Sequence, residues 1–478
     1  MDTTTRTKDL SFLARLDATA QADLVARGEL TCAELLDAVE ARIAALEPLI
    51  RAIPTLDLAR ARRVEPADGP FRGVPFLVKD VTPYPGLRWA LGTRLLRANT
   101  AAPPTPFSAR LDAAGLVTIG KSATSELGLL GSTETLAEGV THNPWDLSRS
   151  AAGSSGGAAA AVAAGLVPLA HANDGGGSTR IPASVCGLFG FKPSRGRTVA
   201  ASPGSSDFGD LVSDGCVSRS VRDAARFLSV VEAREANAAH PPVGFVAGPS
   251  KRRLRIGAWA RTLDGREPDA EVRRAHDRAV ALAAELGHHV EEVAAPALDA
   301  AALGDAFFLV AGAAVAGAAQ MVAQMRGAPA RPDELEPFSW ALAERFLARG
   351  PGALAAAREV FAQATRAHLA ATAAYDVTLT PVLATPPWHL GHLSPIVPAD
   401  ELLRRTAEAV GYTPIHNIAG CPAMSVPLHW SPEGLPMGAH FAAAPGADAA
   451  LLALAYELEE ARPWADRHAP FSCATLGV

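Results

Sequence analysis

From Arg149 to Arg197 the chain passes through a stretch where side chains almost vanish. It reads Ala152-Gly153-Ser154-Ser155-Gly156-Gly157, then alanine-rich 158–164, then Asn173-Asp174-Gly175-Gly176-Gly177-Ser178-Thr179-Arg180-Ile181-Pro182-Ala183. Backbone with so little side chain can approach other backbone closely and take positive φ, so that consecutive N–H groups converge on one point. An oxyanion hole needs that convergence, and Ser154 and Ser178, each preceded by glycine, are candidate nucleophiles. A Gly/Ser stretch alone is commonly a flexible linker. Here Ile181-Pro182-Ala183 and an apolar run follow at once, which predicts a loop held rigid.

Around that stretch, short apolar runs at 74–78, 116–119, 166–170 and 188–191 alternate with glycine-rich turns and helical segments. This texture predicts an α/β sheet buried on both faces. Residues 18–49 read as two amphipathic helices, the second opened by Thr31 with Glu34 three residues on, a capping-box pattern. Residues 232–375 are Ala-rich, charged and mostly helical in period, and strand-like runs return at 377–380, 424–428 and 437–442. The expected organisation is one unit over 1–478: a helical N-terminal part (1–60), a core (61–231), a helical excursion beside the cleft (232–375) and a return to the sheet (376–478).

Composition narrows the function. A formal charge of −6 over 478 residues lacks the basic surface that nucleic acid or an anionic membrane requires. The five cysteines are scattered without metal or disulfide spacing, which predicts buried thiols in a reducing cytoplasm. No apolar segment of the secretory type lies in the first 16 residues. Residues 306–325 carry no charge but are mostly Ala and Gly, with Gln320 and Gln324 inside. They predict a buried helix by the cleft rather than a membrane span.

A serine nucleophile needs a base. His142 and His171 lie nearest in sequence, with no acidic residue at an obvious triad position. A lysine serves if enclosure lowers its pKa from about 10.4 toward neutrality. Lys79 ends the apolar run Val74-Pro75-Phe76-Leu77-Val78 and is followed by Asp80, so a strand would carry it inward. Two other patterns are decoys. Gly115–Ser122 spells a Walker A motif, but strand-like Leu-Val-Thr-Ile stands where the phosphate loop should be. Gly153–Gly157 spells G-x-S-x-G around Ser155, yet a polar segment precedes it instead of a hydrophobic strand.

These segments together resemble the amidase signature family over nearly the whole chain. The matching motifs are Gly73–Asp80, Gly120–Glu126, Asn143-Pro144-Trp145-Asp146, the double-glycine serine loop, Asp174–Pro182 and Cys186–Pro193. Further matches are Ser218–Asp223, Gly420–Ala423 and Gly434-Leu435-Pro436. The resemblance implies a large mixed twisted sheet covered by helices on both faces. It also implies a Ser–Ser–Lys triad with Ser178 as nucleophile, Ser154 as relay and Lys79 as base, and a cis peptide before the relay serine. Backbone N–H groups of Gly175, Gly176, Gly177 and Ser178 would hold the oxyanion. The sequence departs from the family at Ala152, where glycine is usual, at Gly175, where Thr, Ala or Ile is usual, and at Thr179, where Ile or Val is commoner. Gly175 predicts a looser oxyanion loop. Within the family the texture is closest to bacterial hydrolases of nylon-oligomer cyclic amides and of urethanes. The expected activity is hydrolysis of a small-molecule amide, cyclic amide or carbamate with apolar or aryl groups, with esterase side activity and no cofactor or metal. A glutamine-hydrolysing amidotransferase subunit, and an α/β-hydrolase with Ser155 as nucleophile, are the alternatives. Homodimers are common among such proteins, and no sequence feature fixes the oligomeric state. The cleft walls are expected from 135–145, 200–215 and 300–350, with Trp340 and Trp388 as packing or wall residues.

Overall fold

A computed structural model describes residues 9–100, 102–202 and 206–478. Met1–Lys8, and part of the expected cleft wall at 203–205, lie outside the described residues. The chain builds an eleven-stranded mixed sheet, numbered here in chain order. The strands are β1 (Thr55–Leu56), β2 (Pro75–Lys79), β3 (Val117–Ser122), β4 (Leu169–Asp174), β5 (Phe189–Lys192) and β6 (Ser213–Ser218), followed by β7 (Arg255–Ala258), β8 (His289–Glu292), β9 (Val377–Pro381), β10 (Ala423–Trp430) and β11 (Pro436–Ala443). Across the sheet they run β1-β3-β2-β4-β6-β5-β10-β11-β9-β7-β8. The pairs β2/β3, β2/β4, β7/β9 and β7/β8 are parallel. The middle pairs from β4/β6 to β9/β11 are antiparallel.

Strand alternation explains why both faces are buried. On β2, Leu77 enters one apolar core while Phe76 and Val78 enter another. The first core is completed by α2 (Cys32–Ile50) and α3 (Gly156–Ala163), the second by the helices Val221–Val231 and Asp448–Ala461. Helix α2 follows α1 (Ala18–Ala26) and opens on the expected capping box, Thr31 Oγ1 accepting from Glu34 N and Glu34 accepting from Thr31 N.

Two segments differ from the sequence reading. The strand expected at 166–170 starts at Leu169 and runs on to Asp174, because α3 is terminated by Gly165 at φ 75° and Leu166 N closes onto Ala161 O. The excursion 232–375 is not wholly helical. Its buried Ile256 and Ala258 seat β7 beside β9, and β8 adds the edge. The charged, exposed residues Arg252, Arg253 and Arg255 just before the three buried ones mask so short a strand.

The rest of the excursion is the helix Ala270–Glu285 between β7 and β8, followed by three helices numbered on from α4 (Arg180–Cys186). Helix α5 (Ala300–Arg326) packs on α6 (Pro337–Arg349) and α7 (Ala353–Thr372). It is long and apolar enough to cross a membrane by length and composition. The buried helix expected there is only partly buried: Leu303, Ala306, Leu309, Val310 and Val315 pack inward, while Met321 and Met325 are exposed. Close approach to α6 rests on Gly312, where an added Cβ would lie 2.2 Å from Leu342 O. Backbone cannot yield there, and overpacking of this kind costs about 1–3 kcal/mol. Gly312→Ala is therefore expected to lower the thermal unfolding midpoint, whereas the same change at Gly317, which has open space around its Cβ position, should not. Differential scanning calorimetry of the two variants checks this.

Candidate active site

Lys79 is the last residue of β2, a strand buried along its whole length. Its Nζ lies 2.7 Å from Ser154 Oγ, 2.7 Å from Asn173 Oδ1 and 3.4 Å from Asn173 O. Burial pushes the ammonium down to about 7, against the opposing pull of the Asp174 and Asp214 carboxylates. A neutral amine has two N–H groups and one lone pair. With both N–H groups aimed at the two Asn173 oxygens, the lone pair is left for the Ser154 hydroxyl.

Ser154 precedes α3, and the Gly153–Ser154 peptide is cis, as the resemblance implies. Ala152, the departure from glycine, sits at φ 55°, a left-handed conformation that costs an L-residue roughly 1–2 kcal/mol. Two contacts offset it: Thr133 Oγ1 donates to Ala152 O (2.8 Å), and Ala152 N donates to Ser150 Oγ (3.2 Å). Ser155 is fully buried and its hydroxyl donates to Asn173 O, so it is sealed away from solvent and cannot be the reacting serine of an elbow.

The loop from 174 to 180 is folded around one carboxylate. Asp174 accepts from Gly177 N (2.7 Å), Thr179 N (3.1 Å) and, bidentately, from Arg180 Nε (2.9 Å) and Nη2 (2.8 Å). Neither side chain has exposed surface. Burial works against the charge, but Arg180 holds the Asp174 carboxyl well below the usual carboxylate range. Arg180 also donates to Thr413 O, Asn417 Oδ1 and His440 Nε2, tying the loop to α8 (Pro414–Ile418) and to β11.

Of the expected oxyanion donors, the Gly177 N–H is committed to Asp174 and Gly177 does not line the cleft. It braces the loop instead. Its φ of 132° and the 2.4 Å that would separate a Cβ from Thr413 Oγ1 make glycine necessary there. The N–H groups of Gly175, Gly176 and Ser178 have no protein acceptor among the described residues, and all three residues line the cleft. Ser178 is partly exposed, and its hydroxyl has no hydrogen-bond partner among the described residues. It shares the cleft with Ser154, without a direct bond between the two hydroxyls.

The cleft encloses about 930 Å³. Residues 200–202, 206–210 and 212–214 supply one wall and α5 another, through Leu303, Gly304, Phe307 and Phe308. The expected wall at 135–145 contributes none of the lining residues. Its place is taken by Leu127–Gly131 and by residues of 406–418. Trp340 and Trp388 pack elsewhere; Trp89 is the tryptophan at the cleft. Sequence reasoning missed Asn173, Asp214, Thr413 and Asn417. Asn173 alone carried a signal, its place directly before Asp174.

Elsewhere, His368, His416 and Cys421 bring ligand atoms within 4.8 Å of one another, all buried. Their surroundings oppose a cation: Lys192, Arg195 and Arg180 act on Cys421, and burial still pushes its thiol up to about 11. His389 and His392 are not part of this cluster.

Residues 33–452 match the family described as Amidase. The chain is 37% identical over 465 residues to the putative amidase AmiC of Mycobacterium tuberculosis (strain ATCC 25618 / H37Rv), covering 96% of this chain and 97% of that one. It is 36% identical over 477 residues to the 6-aminohexanoate-cyclic-dimer hydrolase of Pseudomonas sp. (strain NK87), covering 94% and 96%. A solved structure of 6-aminohexanoate cyclic dimer hydrolase complexed with substrate superposes with a TM-score of 0.88 at 33% identity, covering 96% and 99%. The chain belongs to the amidase signature family. It is an enzyme of that family, a hydrolase of amide carbon–nitrogen bonds.

Removing one partner of a buried pair leaves the other charge uncompensated, at a cost of about 3–5 kcal/mol. Arg180→Met is expected to lose stability on that scale, and Arg180→Lys, which cannot bind bidentately, to fall between. Because folded Asp174 titrates below its unfolded value, the pair contributes fully above about pH 4 and less as pH falls. Denaturant melts at pH 7 and pH 3 should thus show a larger Arg180→Met penalty at pH 7.

Proposed function

We propose that the chain hydrolyses neutral, apolar small-molecule amides through an acyl-enzyme on Ser178, with Ser154 as relay and Lys79 as base. The observation that carries this reading is the 2.7 Å contact from Lys79 Nζ to Ser154 Oγ, with both remaining Nζ directions taken by Asn173. Neutral Lys79 accepts the Ser154 proton, and Ser154 accepts that of Ser178 as its oxygen attacks the carbonyl carbon. The N–H groups of Gly175, Gly176 and Ser178 receive the developing oxyanion. The proton then returns through Ser154 to the leaving nitrogen, which departs as a neutral amine. Water, deprotonated by the same relay, releases the acid.

The substrate class follows from the walls. Phe208, Phe307, Phe308, Leu303, Ile415 and Ile418 line the cleft. Among the described lining residues Arg195 is the one cation, its Nη2 donating to Asn417 O and Ile418 O, while Asp210, Asp214 and Asp264 also line the cleft. A free substrate carboxylate would meet more carboxylates than cations among these walls, which favours neutral amides and disfavours a glutaminase role. Cyclic amides come first in the panel, since two of the similar proteins hydrolyse a cyclic dimer, and aryl carbamates follow as the urethanase variant.

The test is a panel of a cyclic amide, an anilide, an aliphatic amide, an aryl carbamate and the matching ester, with wild type, Ser178→Ala and Lys79→Ala. Each variant should lose at least about 10³-fold in kcat/KM. For wild type, kcat/KM should rise with pH through about 7, because only the neutral amine is a base. Hydrolysis that survives Ser178→Ala would reassign the nucleophile.

A further inference from the structure

His171 and Asp214 have no part in the proton path just described, yet they stand directly behind its base. On β4, His171 and Asn173 are two residues apart and share a face of the sheet. In the antiparallel register with β6, Asp214 is the direct partner of Asn173, so it stands on the same face. His171 is fully buried, its ring 4.9 Å from that of Phe107. Its Nδ1 lies 3.3 Å from the backbone N of Lys79, and its Nε2 lies 3.1 Å from Asp214 Oδ1.

These contacts fix the tautomer. A backbone N–H can only donate, so Nδ1 carries no proton and accepts from Lys79. The ring proton is on Nε2 and is donated to the Asp214 carboxylate. Protonating the ring fully would set two N–H groups against each other at Nδ1. Burial also disfavours the imidazolium, although Asp214 pulls toward it.

The charges around Lys79 are unequally occupied. Asp174, on β4, is taken bidentately by Arg180 of α4. Asp80, next along the chain, accepts from Gly92 N and faces Lys121 of β3. Asp214, on β6, has one side-chain partner among the described residues, the neutral His171, and its side chain is 14% exposed at the cleft. It is the anion near the base that no cation neutralises.

We propose that His171 and Asp214 are a positioning pair for Lys79. His171 anchors the Lys79 backbone, and through His171 the Asp214 carboxylate is held where it stabilises the ammonium that forms when Lys79 takes the relay proton. This rests on Lys79 being the base. Asp214 acts against the lowering that burial imposes on Lys79, so it keeps the amine basic enough to drive the transfer. No covalent step is added.

The experiment is the pH profile of kcat/KM for the full-length enzyme on its best panel substrate. Wild type, Asp214→Asn, His171→Leu, His171→Gln and Lys79→Ala are compared, with melting temperatures measured alongside. Asp214→Asn keeps an acceptor for Nε2–H and removes only the charge. Its acid limb should move down by roughly one pH unit, the scale of one nearby charge in a protein interior. Its plateau kcat should fall roughly threefold, because a weaker base transfers less readily, with KM unchanged. His171→Leu should lose roughly tenfold or more in kcat, with KM unchanged and the fold intact, and His171→Gln, which can accept from Lys79 N–H and donate to Asp214, should recover most of it. A wild-type acid limb that disappears in Lys79→Ala but stays unmoved in Asp214→Asn would overturn the pair's role while leaving the base assignment intact. A limb that persists in Lys79→Ala would sink the base assignment, and this inference with it.

Discussion

The buried pair of Asp174 and Arg180 is the constraint on which the rest of the site depends. Two full charges without solvent are expensive unless every lone pair and proton is used. Here they are nearly all used: Asp174 takes the guanidinium and three loop N–H groups, and the spare Arg180 donors reach Thr413 O, Asn417 Oδ1 and His440. The partners lie more than two hundred residues away in sequence. One interaction therefore shapes the loop that carries Ser178 and also fastens the C-terminal part of the sheet to it.

That anchoring permits the second requirement, a lysine without water. A lysine exposed at a strand end keeps its charge and cannot act as a base at neutral pH. Lys79 is neutralisable because both cores close around β2, and the groups in contact with its amine are uncharged. The same enclosure explains why the surrounding anions matter. In a low-dielectric interior each uncompensated carboxylate counts for more than it would in water, and too many would restore the ammonium. Asp174 and Asp214 both pull against that burial; Arg180 pairs with Asp174 and Lys121 faces Asp80, which leaves Asp214 on β6 as the carboxylate there without a cationic partner among the described residues.

What could be read from the sequence was whatever neighbouring residues encode. The capping box at Thr31 and Glu34 and the apolar run that ends at Lys79 are local signals, and each reappears in the structure. Strand β7 was hidden because it buries only three residues, Ile256–Ala258, behind a run of exposed arginines in a charged, Ala-rich region. The partners of the loop could not be read at all. Thr413 and Asn417 reach it through tertiary contact, and nothing in their own surroundings marks them. Gly177 shows the same limit in reverse, for its glycine is local but the direction of its N–H was set by the Asp174 side chain.

Gly175 shows how such a departure is absorbed. A side chain at this position is usual in the family and would help pack the loop, so glycine alone predicts a looser one. In this chain the space is already filled from outside. A Cβ at 175 would lie 3.3 Å from Val212 Cγ2 and 3.8 Å from Phe208 Cζ, and one at 176 would lie 2.9 Å from Phe307 Cζ. The wall residues press on the loop where its own side chains are missing, and the Asp174 carboxylate holds it from beneath. Preorganisation is thereby shared between the loop and the cleft wall. On the proposed reading, the aromatic rings that would select an apolar substrate are the ones that press on the loop offering the oxyanion donors, so a change that widens the cleft at Phe208 or Phe307 would loosen the donors as well.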